Sequence, residues 1–261
     1  MSDCNPKSTP ANPHVRLSKE MCPSTRTEKA AMETVPYQQA VGCLNYLTHA
    51  TRPDIAFAVN QVSRYCHNPG PQHWEAVKHI LAYLKGTTQY GICFNGSSGS
   101  SDCALVGYTD SDYAGDLDHY RSTTGYILFF NNGPVSWCSR RQPSTASSTT
   151  QAEYQALSDG SREAAFFMWL LQELGVESKR AVTLFCDNNA AIQLASNPVF
   201  RSRTKHINVA YHIVRDYVEA HQIKAERVDT KDNLADILTK PLPSTDFKRF
   251  RELIRVRPLP E

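Results

Sequence analysis

Four acids in this sequence are placed where chemistry is possible. Asp110 ends a β-prone run in GYTDSDYAGD, Glu153 opens a helical pattern in TTQAEYQAL, Asp187 ends a second β-prone run in LFCDNNAAI, and Asp236 lies in NLADILTK. If the two runs become neighbouring strands, their ends and the two helix starts can converge on one edge of a sheet. Carboxylates crowded in this way repel one another unless cations sit among them. Magnesium suits such a cluster, because it takes carboxylates, water and substrate phosphate oxygens in near-octahedral geometry. Two such ions about 4 Å apart can activate a water and stabilise the leaving oxygen of a phosphodiester. The chemistry implied for Asp110, Glu153, Asp187 and Asp236 is therefore that of a nuclease, with all four as metal ligands.

Each acid also has a purely structural reading. Thr150-x-x-Glu153 fits a helix capping box, Asp187 fits an N-cap, Asp236 can complement a helix dipole, and Asp110 can be a turn residue. Capping alone does not require four acids to fall at successive sheet ends in this order.

The elements that must position them follow from periodicity. Apolar residues recur at three- and four-residue spacing over Tyr37 to Leu47, Ile55 to Tyr65 and Trp74 to Leu84, which predicts three short amphipathic helices. Pro53 with Asp54, and then Asn68, Pro69, Gly70 and Pro71, supply the turns between them, and Gly86 closes the third. Residues 96–101 are all Gly or Ser, which marks a domain boundary. Beyond it, β-prone runs at Ala104 to Thr109, Thr124 to Phe130 and Pro134 to Cys138 predict an antiparallel meander, its last turn at Asn131-Asn132-Gly133. A helix from about Ala152 to Leu174, a strand over Val182 to Cys186, a helix from Asn189, a helix around Val209 to Ala220, a strand over Lys224 to Val228 and a helical turn over Leu234 to Thr239 complete the pattern. The order implies an α/β fold, a mixed sheet covered by helices.

Bulk properties narrow the function classes. At 261 residues and 41% apolar content the chain can bury a core without staples. No apolar run of membrane-spanning length and no leader pattern stands out, so an intracellular setting with no membrane partner is the expectation. The eight cysteines lie at wide spacings without a Cys-x-x-Cys pair, unlike a zinc module or a disulfide scaffold. A net charge of +2 gives no strong global field, so nucleic-acid affinity must come from local basic clusters. Arg140 and Arg141 form one, and Arg201, Arg203 and Lys205, next to His206, form another. A solvated face is the plain reading of either; phosphate contact is the functional one.

Two metal patterns are set aside. The run Asp110, Asp112, Gly115, Asp116, Asp118 resembles the front of an EF-hand loop, but Ala114 and Arg121 stand where calcium ligands are required. Asp112 is then a turn residue or a neighbour of the metal ligands. His206, His212 and His221 lack a cysteine or carboxylate pair at zinc spacing.

The order and surroundings of Asp110, Glu153, Asp187 and Asp236 resemble the D-E-D-D set of ribonuclease H. The flanking text is similar to that of copia-type LTR retrotransposon Pol polyproteins, in GYTDSDYAGD, RSTTGYILFFNNGPVSWCSRRQPSTASSTTQAEYQAL, CDNNAAI, NPVFRSRTKHINVAYHIVRD and NLADILTKPLP, which together run from residue 107 to 243. Upstream, YQQAVGCLNYLTHATRPDIAFAVNQVSRYCHNPGPQHWEAVKHILAYLKGT resembles the segment after the polymerase palm, a reverse transcriptase thumb or connection. The resemblance implies a ribonuclease H-like mixed five-stranded sheet with flanking helices over 101–243, preceded by a small helical domain over 36–95. Residues 1–35, with Pro6, Pro10, Pro13 and Pro23 and no apolar periodicity, read as an extended linker or a strap; residues 244–261 are then a C-terminal tail, and Met1 looks like an internal methionine of a longer polyprotein.

The resemblance further implies hydrolysis of the RNA strand of RNA–DNA hybrids with two Mg2+ ions, Mn2+ being a possible substitute, and no small-molecule cofactor. Asp110 and Asp187 would anchor the metals, Glu153 and Asp236 would complete one ion each, and Glu153 would lie near the 2′ hydroxyl. The partners implied are the hybrid and the remainder of a reverse transcriptase. Polymerase activity is not expected, since no Asp-Asp pair of the palm type occurs in the chain. Cellular ribonucleases H often carry a His before the fourth acid; here residues 229–233 read DTKDN, with Lys231 as the cation of that loop. The alternative function is a catalytically silent or domesticated fragment that grips nucleic acid without cutting it.

Overall fold

The apolar spacing between residues 37 and 84 becomes three packed helices in the computed structural model, which describes residues 3–94, 104–176, 180–196 and 209–259. The chain divides into two units, residues 1–93 with 116–120 and 240–261, and residues 94–115 with 121–239.

In the first unit, α2 (Tyr37–Ala50) buries Tyr37, Val41, Leu44 and Thr48, one stripe at helical spacing. The helix α3 (Ala56–Ser63) is buried along most of its length, and α4 (Pro71–Lys85) buries Val77, Ile80 and Tyr83. Pro71 opens α4 where its missing N–H costs nothing. His73 Nδ1 accepts the Gly70 amide at 2.9 Å, so the proton sits on Nε2 and is donated to the Ser18 carbonyl at 3.1 Å. A buried ion pair links the α2–α3 turn to α4. Asp54 accepts Arg52 Nε at 2.9 Å, Arg52 Nη2 at 2.8 Å and the Tyr83 hydroxyl at 2.6 Å, while Arg52 also donates to Thr87.

Both ends of the chain carry more structure than an extended linker and a tail would. Residues 1–35 hold a 3-10 turn at Lys19–Met21 and the helix α1 (Arg26–Glu33), which Thr25 and Glu28 cap reciprocally. The segment is tied along α4 by Lys7 N to the Ala82 carbonyl and Lys85 Nζ to the Cys4 carbonyl. Of the two readings of this segment, linker or strap, the strap is the one that forms. Residues 244–261 are not a tail: α8 (Ser244–Leu253) sets Phe247 edge-on against Tyr83, and Arg251 lies 4.4 Å over the Tyr90 ring. The last strand, β7 (Val256–Pro258), pairs antiparallel with β1 (Tyr90–Ile92). Burial of Phe247 and Phe250 drives this ending. Cleavage at a protease site inserted into residues 96–101 is therefore expected to give two pieces that co-elute in buffer and part only in denaturant. Separation in buffer would show that α8 and β7 do not hold the first unit together.

The second unit is a five-stranded sheet of order β4-β3-β2-β5-β6. β2 (Leu105–Asp112), β3 (Thr123–Phe130) and β4 (Gly133–Arg141) form an antiparallel meander, whereas β5 (Val182–Cys186) and β6 (Ile223–Arg227) run parallel to β2. Phe130 pairs with Gly133 across two residues, Asn131 and Asn132, both at positive φ. This is the backbone of a type I′ hairpin turn, and asparagine tolerates it best after glycine. The long helix α5 (Thr149–Glu173) crosses the sheet over Gly160, where an added Cβ would meet the Thr109 methyl at 2.7 Å. The helices α6 (Asn189–Ser196) and α7 (Ile213–Glu219) flank β5 and β6. The core here is Leu105, Leu128, Tyr154, Leu157, Leu184, Val214, Ile223 and their neighbours. Among the described residues no helix is long and apolar enough to cross a membrane.

Candidate active site: a carboxylate edge on the sheet

Strand alternation sorts the residues at the β2 edge. Thr109 and Tyr126 face α5 at Gly160, so Asp110 and its cross-strand partner Gly125 face the opposite side. There a 3-10 turn, Leu234–Leu238, carries Asp236. Tyr108 is level with Phe185 in the parallel β2–β5 pair, and the same register carried on two residues brings Asp110 level with Asp187. Glu153 enters from the other face, in the first turns of α5. The ligand atoms of Glu153, Cys186 and Asp187 lie within 4.8 Å of one another. Burial pushes the Cys186 thiol far above its ordinary range, and the charges of Glu153, Asp187 and Asp110 push it further. The carboxylates of Glu153 and Asp187 are the oxygen donors of this group. An oxygen set of this kind fits a hard cation such as magnesium.

Other residues fill the capping roles open to Glu153 and Asp187. Ser148 caps α5 by accepting the Gln151 amide at 3.2 Å, and Gln151 reaches back to the Ser147 amide at 2.9 Å, so Glu153 lies outside the cap. Asn188 accepts the Ala191 amide at 3.0 Å at the head of α6, in place of Asp187. Asn233 caps the 3-10 turn through the Ala235 amide, and Asp236 stands in the first turn of that element, where a carboxylate also suits the helix dipole. Asp110 lies inside β2, which runs to Asp112, and is not a turn residue.

Three neutral side chains without an obvious sequence signal hold this edge. Gln142 Nε2 reaches the Ala152 carbonyl at 2.9 Å and Thr124 Oγ1 at 3.1 Å, fastening the head of α5 to β3. Asn233, 0% exposed, donates to the Thr109 carbonyl at 3.0 Å, which ties the 3-10 turn to β2. The Thr239 hydroxyl donates to Asp110 Oδ2. Of the three, only Asn233 follows a recognisable rule, as a capping residue ahead of a helical turn.

The basic candidates fare differently. Arg140, with its side chain 58% exposed, donates to Asp159 at 2.9 Å, and Arg162 meets the same carboxylate at 3.3 Å. Arg141 closes β4 opposite Thr123. Arg201, Arg203, Lys205 and His206 lie outside the described residues. Asp112 accepts the Thr123 amide, a structural role. His212 pairs with the Tyr154 hydroxyl at 3.1 Å. Two acids of the apparent calcium loop serve the first unit: Asp116 lies 3.7 Å from Arg64, and Asp118 accepts the Lys19 amide at 2.7 Å.

An antiparallel meander extended by two parallel strands, with a long helix across one face and carboxylates at the β2–β5 edge, defines a ribonuclease H-like α/β unit. No family model matches the chain. Over 254 residues it is 47% identical to the retrovirus-related Pol polyprotein from transposon TNT 1-94 of Nicotiana tabacum, covering 97% of this chain and 19% of that protein. It is 40% identical over 260 residues to the Pol polyprotein from transposon RE1 of Arabidopsis thaliana, covering 100% of this chain and 17% of that protein. A third relative, secreted RxLR effector protein 161 of Plasmopara viticola, is 45% identical over 53% of this chain and 94% of its own length. Among solved structures, LC11 ribonuclease H1 isolated from compost superposes with a TM-score of 0.41 at 17% identity, over 52% of this chain and 93% of its own. The chain belongs to the family of retrovirus-related Pol polyproteins from transposons, and spans about a fifth of the length of the two named above.

Proposed function

We propose that the second unit is a divalent-metal-dependent endonuclease that hydrolyses the RNA strand of RNA–DNA hybrids. The observation that carries this reading is the meeting of Glu153 and Asp187 within 4.8 Å at the strand end where Asp110 lies, with no capping role left for them. Membership of a Pol polyprotein family supports it. Two Mg2+ ions, or Mn2+ in their place, would supply water activation and charge neutralisation at the leaving oxygen. Asp110 and Asp187 would hold both ions, with Glu153 and Asp236 completing one each.

The protein's own groups do the rest. Glu153, at the head of α5, is the acid placed to sense the 2′ hydroxyl that separates RNA from DNA. Arg141, Arg201, Arg203, Lys205 and His206 would meet backbone phosphates; Arg140 would do so with its charge shared with Asp159. The hybrid, and the remainder of a reverse transcriptase, are the partners of this reading.

A second reading is a fragment that binds nucleic acid without cutting it. It is favoured by the effector relative, a separate protein almost wholly covered by half of this chain. Purified chain on end-labelled hybrid separates the two. Magnesium-dependent cuts in the RNA strand, leaving 5′ phosphate and 3′ hydroxyl ends and abolished by EDTA, are the expected result. Binding without cutting at any magnesium concentration would sink the enzyme and leave the second reading.

A further inference from the structure

Thr239 is the last residue of the second unit and is 0% exposed. Its side chain faces two ways. The methyl packs so closely on β3 that a Cβ added to Gly125 would stand 2.6 Å from it, with Leu238 Cβ at 3.0 Å and the Ala235 carbonyl at 3.1 Å. Only glycine lets the 3-10 turn bearing Asp236 settle onto the strand beside Asp110. The hydroxyl has one proton and two acceptors in reach, Asp110 Oδ2 and the Asp236 carbonyl at 3.3 Å. That carbonyl already accepts the Thr239 amide at 3.2 Å. The charged oxygen therefore takes the hydroxyl proton, since a carboxylate makes the stronger bond.

We propose that Thr239 is a positioning residue for the metal site: its hydroxyl fixes the plane of the Asp110 carboxylate, and its backbone ties that carboxylate to the turn carrying Asp236. This rests on the metal-dependent reading above. A metal that demands near-ideal octahedral geometry is held less well by a carboxylate whose plane is turned. Outer partners that orient a ligand are worth about 10- to 100-fold in metal affinity or activity.

The two halves of the side chain can be tested apart in the full chain. Thr239→Val keeps a methyl on Gly125 and removes the hydroxyl; Thr239→Ser keeps the hydroxyl and removes the methyl. Mn2+ binding followed by electron paramagnetic resonance gives a readout independent of cleavage. Thr239→Val is expected to weaken Mn2+ binding by about 10-fold or more, and Thr239→Ser to retain the parental affinity despite a lower melting temperature. Parental Mn2+ affinity in Thr239→Val would overturn the proposal and leave Thr239 as packing. So would lost affinity in a folded Thr239→Ser, which also decides the matter if the valine variant fails to fold. The reading beneath fails separately: a parent that binds Mn2+ but never cuts hybrid refutes the nuclease, while the two variants still settle the role of Thr239.

Discussion

Glu153→Gln is expected to lower cleavage of a labelled hybrid by about 100-fold or more while hybrid affinity and fold are kept. A metal-held oxygen contributes several kcal/mol to transition-state stabilisation, and each 1.4 kcal/mol is about tenfold in rate. The change is nearly isosteric, and capping does not confound it, because Ser148 and Gln151 close the head of α5 without Glu153. Loss of one charge among Glu153, Asp187 and Asp110 relieves repulsion in the metal-free protein, so the melting temperature should hold or rise. Single-turnover cleavage, filter binding and a thermal melt on the same preparation check all three. Parental cleavage would remove Glu153 from the site, and a fall in melting temperature matching the loss of rate would make the residue structural.

Asp54→Ala should give the largest loss of stability, on the order of 3–5 kcal/mol from the first unit. The substitution leaves Arg52, 4% exposed, without the carboxylate that meets its guanidinium at two points, and leaves the Tyr83 hydroxyl without its acceptor. Desolvating an uncompensated charge costs more than the pair contributes. Replacing both partners together, with Arg52→Met and Asp54→Leu, should therefore be milder than Asp54→Ala alone. Urea unfolding followed by tryptophan fluorescence distinguishes the cases. A midpoint for Asp54→Ala close to the parent would mean that water reaches Arg52 when its partner is gone.

Much of the second unit was legible from residues alone, because its signals are local. Short β-prone runs mark β2 to β4, and Asn131-Asn132-Gly133 fits the one hairpin turn that needs positive φ twice. The acids stood out because short strands and helix starts determine where a neighbouring residue must point. The cap of α5 lies elsewhere than the Thr150-x-x-Glu153 spacing offers: the helix begins at Thr149, a turn earlier than apolar periodicity suggests, which puts the cap at Ser148. Long-range contacts left no local trace. Nothing near Thr239 announces a partner at Asp110, and nothing in the charged run 244–257 announces that Phe247 seats on Tyr83. The fastening points of the strap over α4 are hidden likewise, since they are backbone groups and a carbonyl seeking His73.

The pairing of β1 with β7 sets an order of events during synthesis. A ribosome releases Tyr90 to Ile92 long before Val256 to Pro258, and the whole second unit emerges between them. Domains generally fold as units while the chain is made. The ribonuclease H-like unit can thus finish folding on a chain still being extended, whereas the helical unit waits for its last twenty or so residues. Until they arrive, the α4 surface around Tyr83 that receives Phe247 stays uncovered, and of the two units the one that begins first is completed last.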